Sequence, residues 1–135
     1  MSKYITAYLV ALTIFLALDA LWLGLVARGF YMGRIGDLVL DNPRWAFAAL
    51  FYLLFIVGLV YFAISTGFGE GDARMAALNG AALGFLCYLT YNATNLSTLK
   101  GWDTTLAFVD TLWGTFIGAA VSGLTIVVLG LLGQK

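Results

Sequence analysis

Asp19 stands in LALDALWLG and Asp110 in VDTLWG, each inside a long apolar run. A carboxylate in such a setting is costly unless it faces inward, is paired or takes a proton. Three residues after each comes a tryptophan, Trp22 and Trp113, whose indole N–H can donate to a carboxylate. The stretch YLTYNATNLSTLKGW adds Tyr88, Tyr91, Asn92, Thr94 and Asn95, and a further apolar run holds Tyr52. These side chains could bind a polar head group or a small polar ligand. Asp19 and Asp110 are the acid–base candidates, and two carboxyls that meet would share a proton.

Four apolar runs must position these groups, near residues 4–27, 43–66, 73–99 and 104–132. Each exceeds the roughly 20 residues that a helix needs to cross a bilayer. The first is also longer than the roughly 7–15 residues of a signal-peptide core, so it reads as a retained helix. Asp41 or Asn42 before Pro43, then Asp72, then Asp103 or Thr104 supply helix caps. Between the first two runs, RGFYMGRIGDLVLDN mixes apolar residues with Arg28, Arg34, Asp37 and Asp41. That mixture predicts a short amphipathic segment lying in the membrane interface. The other connections, GFGEG and KGW, are tight, which makes consecutive helices antiparallel neighbours. The expected architecture is an all-α membrane protein: one domain over residues 1–135, built as a four-transmembrane-helix antiparallel bundle.

Counting along the helices at 1.5 Å per residue gives depths. Asp19 lies roughly 12 Å before the expected end of helix one, and Asp110 roughly 9 Å after the start of helix four. Asn92 lies roughly 12 Å before Lys100, on the same side of the bilayer. One polar layer thus collects Asp19, Trp22, Tyr52, Tyr88, Tyr91, Asn92, Asn95, Asp110 and Trp113, the candidate ligand-binding set. Trp45 and Trp102 fall at the level of an interfacial aromatic belt. Two stripes join this layer to small residues: Gly80, Gly84, Tyr88, Asn92 and Asn95 on one helix, and Asp110, Gly114, Gly118 and Ser122 on another. Such ladders let helices approach closely in lipid. They would place Asn92 or Asn95 beside Asp110, or could join copies of the chain as a homo-oligomer. Arg28, Arg34, Arg44 and Lys100, about two turns nearer water, are candidates to hold a lipid phosphate.

Composition sets the class. Of 135 residues, 62% are hydrophobic and 10% charged, with a mean hydropathy of +0.96, far from a soluble domain's quarter charged. Seven basic and seven acidic residues cancel, leaving no field to attract nucleic acid. There is no histidine and one cysteine, Cys87. Zinc sites, histidine-based triads and haem ligation are thereby excluded, and no metal or cofactor is expected. Cys87, in GFLCYL, reads as a small buried hydrophobe.

The segments DALWLGLVARGFY, YLTYNATNLSTLKGW and VDTLWG resemble the DUF2177 family of small bacterial membrane proteins, along essentially the whole chain. The resemblance implies an integral membrane protein of similar length with no established activity, and it leans toward a lipid-linked role. It transfers no catalytic residue. The expected function is lipid-related, through the polar layer, with membrane lipids as partners and the bacterial inner membrane as location. Proton or small-cation transport by an oligomer is one alternative. A structural or assembly subunit without chemistry is the other.

Overall fold

A computed structural model describes residues 2–134. All its regular structure is helical: α1 (Lys3–Leu21), a π-helical segment (Trp22–Ala27), α2 (Arg28–Ile35), α3 (Trp45–Phe62), α4 (Ala73–Thr98) and α5 (Thr104–Leu131). Short 3-10 turns at Gly36–Leu38 and Ile64–Gly67 follow α2 and α3. Three helical stretches, Lys3–Leu38, Trp45–Gly67 and Thr104–Leu131, are long and apolar enough to cross a membrane. The polar residues of α4 lower its hydropathy. It nevertheless packs antiparallel on α5 from Ala77 at Gly123 to Asn92 at Asp110, so a bilayer containing α5 contains α4.

The first helix does not stop near Ala27. It runs on without a break for 36 residues to Leu38, roughly 54 Å at 1.5 Å per residue. That exceeds the ~30 Å hydrocarbon core. The last part of this helix is α2, where Arg28 and Arg34 are exposed. The charges and glycines expected in a separate interfacial segment lie on this continuous helix.

The caps follow local chemistry. The Asp72 carboxylate accepts the Met75 amide at 2.9 Å, and Asp103 accepts the Leu106 amide at 2.7 Å. Gly101, at φ +83°, makes the tight turn between α4 and α5, where a side chain would be strained. Neither Asp41 nor Asn42 caps α3. Arg44 occupies the N-cap position without a side-chain hydrogen bond, and Pro43 precedes the helix instead of opening it. Asn42, as the residue before a proline, is pushed toward extended backbone.

Packing differs along the bundle axis. In the half away from the α4–α5 turn, Ala7, Ala11, Phe15, Ile56, Leu59, Ala76, Ile117, Val121 and Leu129 are fully buried. Here α4 and α5 touch backbone to backbone. A Cβ on Gly80 would overlap the Gly118 carbonyl, and one on Gly84 would overlap the Gly114 carbonyl. The glycine ladder is therefore filled within the chain, and these four glycines are buried. An oligomer contact through them has no exposed glycine to use.

Candidate functional site

Toward the α4–α5 turn the small residues give way to large polar ones, and a cavity of about 480 Å³ opens between the helices. Its walls carry Asp19, Trp22, Tyr52, Tyr88, Tyr91, Asp110 and Trp113. Both aspartates are 8% exposed, and Asn92, behind Asp110, is 1% exposed.

Each carboxylate is held by its own pair of donors. Asp110 accepts the Tyr31 hydroxyl at 2.5 Å and the Asn92 amide at 2.8 Å. The Asn92 carbonyl in turn accepts the Trp102 indole N–H at 3.2 Å. Asp19 accepts the Tyr52 hydroxyl at 2.9 Å and the Trp113 indole N–H at 3.3 Å. The indoles of Trp22 and Trp113 stack between the two centres, 4.4 Å apart and 6° from parallel. The Trp22 N–H donates to the Tyr31 hydroxyl at 3.4 Å. The carboxyls thus do not meet through a direct hydrogen bond. No hydrogen bond among the described residues joins one to the other, and an aromatic stack lies between their partners. Each carboxyl group is met by two neutral donors and by no cation among the described residues.

The depth count brings most of the expected set together, with exceptions. Asn95 is half-buried and does not line the cavity, and Thr94 is exposed. Trp102 is not simply a belt residue, since its indole N–H fixes the Asn92 amide. None of Arg28, Arg34, Arg44 and Lys100 lines the cavity. Arg34 instead pairs with Asp103 at 3.1 Å and lies over the Phe30 ring at 4.6 Å. The Asp103 carboxyl is held below its ordinary value of 3.8, first by the Leu106 amide and then by Arg34.

Tyr31 is the residue the sequence reading missed. It was placed in an interfacial segment, yet it bridges the first helix to Asp110. Helical spacing alone gives no signal for it: a regular α-helix would carry Tyr31 about 120° around from Asp19, and the π-helical segment between them restores the alignment. Cys87 is half-buried and lines the cavity together with Leu23, Ala48 and Phe51.

A family model described as "Predicted membrane protein (DUF2177)" matches residues 4–127. The chain belongs to the DUF2177 family. The match encloses every residue of the cavity, from Asp19 to Trp113. No curated protein and no solved structure matches the chain. For this DUF2177 protein, membrane residence is the shared property, and any role of the cavity rests on its own geometry.

Proposed function

We propose that this DUF2177 protein is a multi-pass protein of the bacterial inner membrane that binds the polar head of a membrane amphiphile, in a lipid-related role. The cavity carries the reading. Two buried carboxylates, oriented by Tyr31, Asn92, Tyr52 and Trp113, form its polar wall. Leu23, Phe51 and Tyr91, at 45%, 45% and 54% exposure, sit on the surface that lipid would cover. A head group can enter sideways from the bilayer while its hydrocarbon stays in lipid. Because both carboxylates already hold two donors, Asp19 and Asp110 serve recognition better than proton transfer, and stand-alone catalysis is not part of the proposal. Conduction by an oligomer is less well supported, because the opposite half of the bundle is closed by apolar side chains and abutting glycines.

Native mass spectrometry of protein extracted from bacterial membranes in a mild neutral detergent tests the reading. Wild type should retain an amphiphile at one per chain. Ala48→Trp, which puts an indole into the cavity, should lose it while keeping its helix content. Wild-type protein that carries nothing, or Ala48→Trp protein that carries as much as wild type, would overturn the proposal.

A further inference from the structure

We infer that the head group is an organic cation, an amine or quaternary ammonium, and that it carries a single hydrocarbon tail seated in a groove between α3 and α4; this rests on the head-group reading above. The first observation is the charge of the lining. The cavity presents two carboxylates and no lysine or arginine. All four groups bonded to the carboxylates are neutral donors. Intramembrane carboxyl groups face a partner or a cavity, and a ligand that brings a positive charge complements this lining where an anion does not.

The rest of the lining decides which cation. Trp22, Trp113, Tyr31, Tyr52, Tyr88 and Tyr91 line the cavity around the two carboxyl groups, and aromatic surroundings of this kind attract ammonium groups through cation–π contacts. The Tyr88 ring packs directly on Gly114, where a Cβ would overlap it. An inorganic ion finds less. Among the described residues no group of three His, Cys, Asp or Glu side chains could hold a metal. A phosphate or sulfate would face two carboxylates with no base beside them.

The second observation is continuity. An apolar groove of about 440 Å³, lined from Phe47 to Phe62 of α3, meets the cavity at Phe51 and Cys87, which the two share. It runs over Phe55, Gly58 and Leu83 to Phe62. From Phe51 to Phe62 is 11 residues of α3, roughly 16 Å at 1.5 Å per residue. That is about half of the ~30 Å hydrocarbon core, the depth of one leaflet and close to the length of a dodecyl chain. At its middle Gly58 faces Leu83, whose side chain a Cβ would meet at 3.6 Å, and the space beside them is matched to a single chain.

Three probes with the same tail separate this inference from the reading beneath it: dodecyltrimethylammonium, dodecyl phosphate and monododecanoylglycerol. Each is added to the protein in dodecyl maltoside micelles and counted by native mass spectrometry. The ammonium should bind one per chain, about tenfold or more tighter than either competitor, the equivalent of one desolvated cation–π contact or better. Asp19→Asn and Asp110→Asn should each remove most of that preference. Gly58→Leu, which fills the groove and leaves both carboxylates in place, should weaken dodecyltrimethylammonium but not butyltrimethylammonium. This variant carries the test of the tail even if the aspartate variants do not fold. Equal binding of monododecanoylglycerol, or a preference for dodecyl phosphate, would overturn the cation while leaving a head-group site. Binding of none of the three would remove both. Equal weakening of both ammonium probes by Gly58→Leu would overturn the tail groove.

Discussion

The two halves of the bundle solve opposite problems with the same helices. Away from the α4–α5 turn, glycines bring α4 and α5 into backbone contact and aliphatic side chains fill what remains. Toward the turn, Tyr88, Trp22, Trp113 and Tyr31 hold the helices around a cavity, and hydrogen bonds replace close packing. In lipid, apolar burial drives no association, so helices need either close van der Waals contact or polar links. This chain assigns one to each half. The closed half is the foundation, and the open half is where something else can bind.

The comparison breaks most severely at the ladder. Gly118→Leu would drive a side chain into Gly80 and Gly84 and should cost roughly 3 kcal/mol or more, the upper range for overpacking. Thermal unfolding followed by circular dichroism in micelles would register it, with the cavity lost along with the fold. A cut in the open half should be smaller. Asn92→Leu leaves Asp110 short of one donor and Trp102 without its acceptor, for about 2 kcal/mol, the scale of a buried polar group left without its partner. The same melting experiment, with Trp102 fluorescence as a local report, distinguishes the two. A variant as damaging as Gly118→Leu would mean that the polar half carries as much of the fold as the ladder.

Acid gives a gentler probe at the edge of the open half. The depressed Asp103 carboxyl contributes stability that is present above its ordinary value of 3.8 and is lost as pH falls through the lowered one. Melting temperature should therefore drop as pH is taken from neutral through the carboxylate range, and Asp103→Asn should flatten that part of the profile. Smallest of all is Ser122→Ala in the closed half. The buried Ser122 hydroxyl finds no hydrogen-bond partner among the described residues. Its removal should change stability by no more than about 0.5 kcal/mol in either direction, measured by chemical denaturation. A loss above 1.4 kcal/mol, a tenfold change in the folding equilibrium, would show that the closed half contains a polar contact of its own.

Much of this was legible before any coordinates. Hydropathy and caps set α4 and α5 to within a residue, because Asp72, Asp103 and the tight turns leave few alternatives. Depth counting put Asp19, Asp110 and Asn92 on one level because helical rise is nearly constant. Angle was harder. Which face of α3 meets Asp19, and that the asparagine beside Asp110 is Asn92 and not Asn95, depends on helix rotation, which an almost uniformly apolar helix does not encode. The continuation into α2 was hidden for a related reason. Beyond the hydrocarbon edge a helix no longer needs apolar residues, so its end cannot be read from hydropathy. The basic residues misled as well, since proximity in depth says nothing about whether a side chain turns inward.

The π-helical segment Trp22–Ala27 acts as a phase adjuster. In it the backbone bonds each residue to the fifth along instead of the fourth, so one residue more than an α-helix needs is taken up between Asp19 and Tyr31. Ordinary α-helical bonding with every residue kept would swing everything downstream by about 100°, one residue's share of a 3.6-residue turn, and Tyr31 would leave Asp110 and Arg34 would leave Asp103 together. Deleting a single residue among Gly24, Leu25 and Val26 removes the surplus instead and gives a plain α-helix with Tyr31 and Arg34 still in phase. A one-residue change in chain length, with no side chain of the cavity altered, would thus erase the π segment and keep the first helix coupled to the last.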